Sequence, residues 1–543
     1  MIISNFLSKL NIIFFDFKEH IKIIYQNSNL YDKKISKFYN SNFDYKPSPY
    51  LLSSIIKYQN KKYRIEDFVI ESLWKDNTNK KDFEKLNNFF WFFSLDLKSS
   101  KKTVQSIIMN WIKDNQRYNS KSWDFDLTSK RIISWLSNHQ LTYEDSNSEY
   151  RVKFDKCIKK QANHLLNEIN KSTEYENKMI GCAAIILTGL AYQNDKNYLN
   201  NGLNLLKKII KSSIDNQGFP KSRSISQLSF YLKYFIIIRE WFKESQNIIP
   251  EYIDETIYYL GLSYAFIWQN IKCDILFNGN YISNNERFDE YLKRFGYTFK
   301  SQENELAGYA ILKNKDIVLA MDIGPNPDKN FSKDYQSGAL SFEIISNGKK
   351  LISNSGYFSK RQSKLNKLSK SSAMHSTLIL EDSSSCNFKK IGKSYSIIDR
   401  GLKILKKNII FDNNYWKISA SHDGYLRKFN SIHEREIEFY PKQMKFVGFD
   451  RIIRKEKNKK IKFDIRFHLD PIAKVMKTQD NKSILIELED KGWKFSCENF
   501  DINIDNGLYF GNKNSYKENQ NIFISGITNE LNQNIKWEIN ELK

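Results

Sequence analysis

The chain has 543 residues, of which 41% are hydrophobic and 15% aromatic, so it is long enough for two domains, each with a buried core. Its 85 Lys and Arg outnumber 62 Asp and Glu, which gives a formal charge of +23 and suits a polyanionic partner such as nucleic acid or an acidic polysaccharide. The basic residues are dispersed among acidic ones, and no apolar run reaches the length of a membrane span. The five cysteines are far apart and lack CxxC spacing, so neither a disulfide framework nor a zinc knuckle is indicated.

The first fifteen residues are apolar but unlike an export signal. Lys9 and Asn11 interrupt the apolar run, and no basic region precedes it. We therefore do not expect a signal peptide, and export is not readable from this segment.

From about Asp82 to Leu276, the apolar residues follow helical spacing. One patch is Ile107, Ile108, Trp111 and Ile112, and similar patches recur along this part of the chain. Successive helices joined by short polar loops predict an all-α layer or a ring of helical hairpins. The aromatic residues at these spacings are interpreted mainly as core, although aromatic side chains lining a groove would also suit sugar stacking.

After about Arg294, the pattern changes to short β-type runs separated by turns. Ile317 to Asp322 and Leu340 to Ile345 are examples, and further runs follow up to Asn521 to Ile524. Many short strands without intervening helices predict a large β-sandwich. The polar stretch near residues 280–298 is the expected boundary.

His375 heads one of these strand-like segments, in a chain with only seven histidines. A neutral imidazole can take or give a proton near pH 7 and can also bind a metal. A histidine beside a strand also often has only a structural role, so its neighbouring motifs are needed to interpret it.

Several motifs in the C-terminal half occur in the order and spacing of a known family. They are Asp322-Ile323-Gly324-Pro325-Asn326-Pro327, Gly338-Ala339-Leu340-Ser341-Phe342-Glu343, Asn354-Ser355-Gly356, His375-Ser376-Thr377-Leu378, Ser421-His422-Asp423-Gly424-Tyr425, His433-Glu434-Arg435 and Ile465-Arg466-Phe467-His468-Leu469. The helical half agrees through shorter segments, including Gly218 to Ser224 and Leu276 to Gly279. Over roughly residues 80–540, the chain resembles the heparinase II/III-like family of polysaccharide lyases.

The resemblance implies an α+β multidomain fold. An N-terminal extension over residues 1–80 would precede an incomplete (α/α) toroid over residues 81–285, and an antiparallel β-sandwich would occupy residues 295–543. It further implies a substrate cleft between toroid and sandwich. The implied reaction is β-elimination on a uronate-containing acidic glycan, in which a base removes the C5 proton, a neutralising group stabilises the carboxylate-enolate and an acid protonates the departing 4-oxygen.

The family pattern carries over to individual positions with some departures. His375 matches the sandwich histidine that assists at the carboxylate or the base. The position of the catalytic tyrosine falls on Gln227, which leaves Tyr231 or Tyr234 as the phenol, with core or groove-lining roles as the alternative.

The carboxylate-neutralising asparagine also lacks a direct match. Asn177 and Arg223 are the substitutes, and Arg223 is preferred because a planar guanidinium can hold a carboxylate through two hydrogen bonds. A family histidine before the Leu340-Ser341-Phe342-Glu343 motif is replaced within Gln336-Ser337-Gly338.

The reaction requires no organic cofactor, but a structural divalent metal is one hypothesis. His422, Asp423 and His433 could meet across a hairpin and bind zinc or calcium, as some relatives do. The alternative is that Asp423-Gly424 forms a turn and the histidines hydrogen-bond to the backbone.

Three functions follow from these observations. The leading one is a carbon–oxygen lyase acting on an acidic polysaccharide or oligosaccharide, and the second is a glycan-binding or glycan-assembly protein that kept the fold with altered chemistry. The third, nucleic-acid binding, lacks a recognisable motif and is not expected. The resemblance predicts a periplasmic or cell-envelope location, whereas the lack of a clear signal peptide would predict a cytoplasmic one.

Overall fold

A computed structural model describes residues 20–37, 41–53, 80–172, 174–282, 286–360, 363–391, 395–456 and 460–542. The apolar segment at residues 1–15 and part of the predicted extension lie outside these ranges. The chain forms two compact units, each built from three separate stretches. We call Met1–Ser213 with Phe230–Tyr258 and Asn285–Thr298 the helical unit, and Ile214–Ser229 with Tyr259–Asn284 and Phe299–Lys543 the β unit.

The predicted helical half is observed as a succession of helices. One that buries the predicted apolar patch begins after Ser100, whose Oγ accepts the Thr103 N–H, and it buries Ile107, Ile108 and Trp111. The described helices up to residue 294 are Asn29–Ile35, Tyr50–Ser53, Lys80–Asn87, Phe90–Ser94 (3₁₀), Lys101–Asp114, Phe125–Ser137, His139–Thr142, Ser148–Glu168, Tyr175–Ala191, Lys196–Ser213, Ile225–Glu244, Glu251–Trp268 and Glu286–Arg294.

The predicted strands of the C-terminal half are also observed. They are β1 (Glu305–Leu306), β2 (Tyr309–Lys313), β3 (Ile317–Asp322), β4 (Phe342–Ser346), β5 (Lys349–Ile352), β6 (Leu378–Leu380), β7 (Asn387–Ile391), β8 (Tyr395–Arg400), β9 (Ile404–Phe411), β10 (Trp416–His422), β11 (Ser431–Tyr440), β12 (Lys445–Arg454), β13 (Ile461–His468), β14 (Lys474–Lys477), β15 (Ser483–Leu488), β16 (Lys491–Cys497), β17 (Ile502–Tyr509), β18 (Lys517–Thr528) and β19 (Asn532–Leu542). Short helical turns at Lys329–Asp334, Lys364–Ser369, Ser372–Met374, Leu426–Phe429 and Pro441–Gln443 connect them.

These strands pair antiparallel in four sheets. Three of the sheets have the orders β1-β2-β3-β4-β5, β14-β15-β16-β19-β12-β11-β10-β9 and β17-β18-β13-β6, and β7 pairs with β8. One apolar core draws residues from the three larger sheets, among them Leu319, Phe463 and Trp537. Sheets that share a core in this way form the antiparallel sandwich expected from the strand pattern.

Alternation along β11 places polar side chains on the inner face of the sandwich. Ser431, His433, Arg435, Ile437 and Phe439 are buried there, and the residues between them are half-buried. Two ionisable groups are therefore inside the β unit and require partners.

Among the helices that the structure describes, none is both long enough and apolar enough to cross a bilayer.

Candidate functional site

His375 lies between a short 3₁₀ turn and strand β6, within the β unit. The turn Ser372–Met374 ends at His375, which has extended backbone with φ −129° and ψ 151°. Its N–H donates to the Ser372 carbonyl at 3.0 Å, and its carbonyl accepts the Thr377 N–H at 2.8 Å. The backbone at this position is thus held at both ends.

The two residues after His375 are anchored through their side chains. The Ser376 Oγ donates to the Ser353 carbonyl at 2.6 Å and accepts the His468 N–H at 2.8 Å. The Thr377 Oγ1 donates to the Ala339 carbonyl at 2.8 Å. The His-Ser-Thr motif is therefore rigid, and its serine and threonine have local structural partners.

The imidazole of His375 differs from these anchored side chains. The residue is 1% exposed, and neither ring nitrogen has a hydrogen-bond partner among the described residues. The Ser369 carbonyl lies near the ring without meeting hydrogen-bond geometry, and burial lowers the pKa of His375 from 6.5 to about 3. His375 is therefore a neutral buried imidazole with one donor and one acceptor unused.

Gly338 brings its backbone against this ring. A Cβ at Gly338 would lie 3.0 Å from His375 Nδ1 and 3.2 Å from Ser341 Oγ. The Ser341 hydroxyl is also buried and has no partner among the described residues. The glycine thus leaves just enough room for the imidazole beside a second unused polar group.

A buried ion pair holds two backbone segments near the His375 imidazole, one after Gly338 and one after His375. Arg435 and Asp450 face each other across β11 and β12, with Nε to Oδ1 at 2.8 Å and Nη2 to Oδ2 at 3.0 Å. The Arg435 Nη1 also donates to the carbonyls of Leu340 and Ser376 at 2.8 and 2.6 Å. The pair therefore ties the segment after Gly338 to the one after His375.

Arg223 occupies a second polar cluster of the β unit. Its Nη2 contacts Asp322 Oδ1 at 2.6 Å, and its guanidinium carbon lies 4.5 Å from the centre of the Tyr309 ring. Three further bonds go to the carbonyls of Ala307, Gly308 and Pro325 at 2.9, 3.0 and 2.9 Å. Four hydrogen bonds thus occupy a group with five N–H donors.

The charge of Arg223 is maintained despite its burial. Burial lowers the pKa of Arg223, but Asp322, Tyr309 and Tyr335 together outweigh that effect and raise it. A side chain at Gly324 would collide with the guanidinium, so the cation is enclosed by close backbone as well as paired. Its observed role is to hold backbone segments together.

The network continues through residues that were not assigned a role from the sequence. Asn278 Nδ2 donates to Asp322 Oδ2 at 2.9 Å and to the Tyr309 hydroxyl at 2.8 Å, and that hydroxyl donates to the Arg223 carbonyl at 2.6 Å. The Gln336 N–H donates to Asn278 Oδ1 at 3.3 Å. Because all of these residues except Tyr309 lie in the motifs quoted above, motif membership was the signal available for finding them.

A cavity of about 1020 Å³ opens beside Arg223, within the β unit. Basic lining residues outnumber acidic ones; they are Lys221, Arg223, Lys403, Lys406 and Lys407, against Asp215, Glu305 and Asp328. Lys407 is paired with Glu305. His375 is not among the described lining residues of this cavity, so it does not share the cavity with Arg223.

The other predicted substrate-contacting residues are distributed over both units. Gln227 is buried in the β unit, where its Oε1 accepts the Ser222 hydroxyl at 2.7 Å. Tyr231 and Tyr234 belong to the helical unit, and burial raises the pKa of both phenols. Asn177 is half-buried in the first turn of the helix Tyr175–Ala191. Their predicted roles therefore remain predictions.

The residues proposed for a metal site have other partners. His433 Nε2 contacts Asp450 Oδ1 at 2.7 Å, His422 Nδ1 accepts the Gly424 N–H at 3.0 Å, and Asp423 Oδ1 accepts the Lys403 N–H at 2.6 Å. Within the described ranges, no three His, Cys, Asp or Glu side chains are grouped to hold a metal ion. His422 and Asp423 accept backbone N–H bonds, as the alternative expects, whereas His433 contacts the Asp450 carboxylate, and this set does not fit a zinc or calcium ion.

Comparison with known proteins agrees with this architecture. Residues 299–538 match the family described as Heparinase II/III-like, C-terminal. A mutant of heparan sulfate lyase HepC from Pedobacter heparinus matches with 14% identity and a TM-score of 0.66, covering 95% of this chain and 88% of its own. A heparinase III structure matches with 15% identity and a TM-score of 0.67, covering 95% and 89%. By sequence, the chain matches no curated protein.

The structural matches extend over nearly the whole chain and confirm the predicted fold, a helical toroid followed by an antiparallel β-sandwich. At the level of sequence, the match is to the heparinase II/III-like C-terminal family and spans residues 299–538, which form the C-terminal part of the chain.

Proposed function

We propose that the protein is a lyase that cleaves uronate-containing acidic glycans by β-elimination. The observation that carries this proposal is the imidazole of His375, buried with both nitrogens unused beside a rigid motif. A buried polar group without a partner costs free energy and calls for a functional explanation. A substrate that supplied the missing partners would provide one.

The low pKa of His375 suggests which part of the reaction it serves. Since burial lowers it to about 3, the ring is neutral at physiological pH and is a weak base in this environment. A neutral imidazole still donates one N–H bond, and the uronate carboxylate gains negative charge as the C5 proton leaves. We assign His375 to stabilising that carboxylate-enolate.

The remaining steps balance without a co-reactant. A base takes the C5 proton, the electron pair forms the C4–C5 double bond, the bond from C4 to the 4-oxygen breaks, and an acid protonates that oxygen. Tyr231 and Tyr234 are the proposed phenols. Because burial raises the pKa of each, a protonated phenol is favoured, which suits the acid role better than the base role.

Access to His375 forms part of the proposal. At 1% exposure, the ring meets a sugar only after surrounding segments shift. The fixed backbone of Ser376 and Thr377 would preserve the position of the imidazole during such a movement.

The hydrogen bonds that Arg223 makes within the protein favour a second candidate function, which is glycan binding without elimination. Its guanidinium is bonded to Asp322 and three backbone carbonyls. It therefore has little capacity to hold a uronate carboxylate through two new bonds. A protein that recognises acidic glycans through other cations and does not cleave them is consistent with this arrangement.

One experiment separates the two functions. The protein is incubated with heparan sulfate, chondroitin sulfate and alginate, and the ultraviolet absorbance of the unsaturated product is followed while binding is measured in parallel. We expect absorbance to rise with one of these polymers and to be lost in His375→Ala. The control is His139→Gln, in the helical unit, where His139 contacts Glu144 at 3.0 Å; it should keep full turnover.

Full turnover by His375→Ala would refute the assigned role. Saturable binding to a polymer with no absorbance change would instead support the second candidate.

A further inference from the structure

The helical unit contains a separate cavity of about 520 Å³. Its walls come from the helix Lys101–Asp114 and the loop after it, from one face of Ser148–Glu168, and from the end of Asn29–Ile35. On the long helix, Lys153, Lys156 and Lys160 lie at spacings of three and four residues, which places them on the same side. The volume falls in the range of small-ligand pockets.

Positive charge dominates the lining of this cavity. Its ionisable residues besides cysteine are Lys113, Arg117, Lys153, Lys156, Lys160 and Asp32. Lys160 pairs with Asp32 at 2.6 Å, and Lys153 pairs with Glu149 at 2.5 Å. In the part of the chain that the structure describes, Lys113, Arg117 and Lys156 form no ion pair, so three cations remain for a ligand.

The position of Lys160 helps to define the cavity wall. It is 7% exposed, and its ammonium donates to Asp32 Oδ1 and to the Gln116 carbonyl, both at 2.6 Å. These bonds fix the loop that follows the helix Lys101–Asp114, next to Arg117. Lys160 is therefore an internal charge of the wall, whereas the three cations without an ion pair, Lys113, Arg117 and Lys156, are solvent-exposed.

Neutral groups complete the lining. Met109, Ile112 and Trp123 provide apolar surface, and Asn110 adds an amide. A ligand that matches this cavity has anionic groups for the cations, hydroxyls for the amide, and apolar C–H surface for Met109, Ile112 and Trp123. A carboxylated or sulfated sugar has that combination, whereas a bare inorganic anion would leave the apolar part unfilled.

We propose that this cavity is a second, non-catalytic site that binds an acidic saccharide unit through Lys113, Arg117 and Lys156. The inference rests on the proposed function, because it takes its ligand from the same class of polymer. It adds a binding site whose lining lies wholly in the helical unit, whereas His375 belongs to the β unit.

The test uses the full chain carrying His375→Ala, with a heparan sulfate tetrasaccharide and a chondroitin sulfate tetrasaccharide as probes. Calorimetry compares it with the same chain carrying K113Q, R117Q and K156Q. The control carries K102Q, K196Q and K208Q, three exposed lysines of the helical unit outside this lining, and so removes the same charge. We expect the cavity variant to weaken binding of one probe by at least about tenfold, and the control to change it less than about twofold.

A second readout locates the bound sugar. Bound tetrasaccharide should protect Lys113 and Lys156 from acetylation, measured by mass spectrometry, and leave Lys208 equally reactive. Equal affinities of the cavity variant and the control, or no protection of Lys113 and Lys156, would overturn the proposal. A single-stranded oligonucleotide that bound more tightly, with the same dependence on the three cations, would overturn the saccharide assignment.

Failure of this inference can be distinguished from failure of the proposed function. If a chain with His375 intact and the three cations replaced still cleaved a polymer, the proposed lyase function would stand even if the cavity did not bind sugar. If binding depended on the three cations but no polymer was cleaved, the proposed cavity site would stand and the proposed lyase function would be refuted.

Discussion

Replacing His375 by leucine should increase stability while abolishing activity. The two side chains have similar volumes, so His375→Leu fills nearly the same space beside Gly338 and removes both unused nitrogens. Each buried polar atom without a partner costs about 1–3 kcal/mol, and small differences in packing shape offset part of the gain. We expect the free energy of unfolding at pH 7 to rise by about 1–3 kcal/mol.

His468 provides a matched control because it is as deeply buried but fully bonded. It is 0% exposed, its Nδ1 accepts the Ser355 hydroxyl at 3.1 Å, and its Nε2 donates to the Ala373 carbonyl at 2.9 Å. Leucine at this position would leave both partners unsatisfied. The free energy of unfolding of His468→Leu should therefore fall by about 2–4 kcal/mol.

Urea unfolding of the two variants, followed by fluorescence, measures these changes, and the absorbance assay measures turnover. Opposite signs for the two substitutions, with turnover lost in His375→Leu, would mean that His375 is retained for function at the expense of stability. If His375→Leu destabilised the protein as much as His468→Leu, the nitrogens of His375 would have to be paired, and the argument for its function would fail.

Three further predictions concern the surroundings of this residue. Gly338→Ala should lower the free energy of unfolding by about 1–3 kcal/mol through overpacking, since its Cβ would lie 3.0 Å from His375 Nδ1. Urea unfolding should show that most of this loss disappears when His375→Ala is also present. A loss of the same size in the double variant would contradict the contact between residue 338 and the imidazole. Arg435→Met should lower the free energy of unfolding by about 3–5 kcal/mol, because it leaves the buried Asp450 carboxylate without its cation. A loss below about 1 kcal/mol would contradict a structural role for the Arg435–Asp450 ion pair. The free energy of unfolding should also fall as the pH drops from about 6.5 toward 4, because burial lowers the pKa of His164, His375 and His468 to about 4, 3 and 3. At pH 5 the unfolded chain binds about three more protons than the folded chain, which corresponds to a loss of about 4 kcal/mol per pH unit in urea unfolding. A free energy of unfolding that stayed constant between pH 7 and 5 would refute the burial of these histidines in neutral form.

Much of the fold could be predicted from periodicity. The predicted run from Ile317 to Asp322 is strand β3 with the same ends, and the run from Leu340 to Ile345 became β4, Phe342–Ser346. Such shifts arise because Leu340 has a left-handed backbone with φ 55°, which ends the regular strand geometry before Phe342. Alternation of apolar residues does not reveal a local turn of this kind.

The division into compact units was less accessible from sequence. Ile214–Ser229 and Tyr259–Asn284 lie among helical patterns but pack with the β unit. Part of the cause is visible in Asn278, which bonds Asp322 and Tyr309. A polar bond between residues more than thirty positions apart leaves no periodic signal in either segment.

Residue type also predicts a site better than it predicts a role. The motif identified His375, but only coordinates show that its ring is unbonded while that of His468, in another family motif, has two partners. Likewise, guanidinium chemistry favoured Arg223 as a carboxylate ligand. The carbonyls that occupy it belong to Ala307, Gly308 and Pro325, and their side chains give no hint of that contact.

Because the hydrogen bonds of Arg223 are already made within the protein, the lysines that line the same cavity are the better candidates for binding a sugar carboxylate. Because the guanidinium is already neutralised by Asp322, its field on a sugar in the adjoining cavity is largely cancelled at short range. Lys403 and Lys406 line the same cavity from the β9 side and, within the described ranges, form no ion pair. An acidic saccharide entering there would therefore be held by ammonium groups, with Arg223 acting indirectly by keeping Gly308 and Pro325 in place. Substituting Arg223 would then disturb the shape of the cavity before its charge, so lost binding in such a variant would not by itself identify a carboxylate ligand.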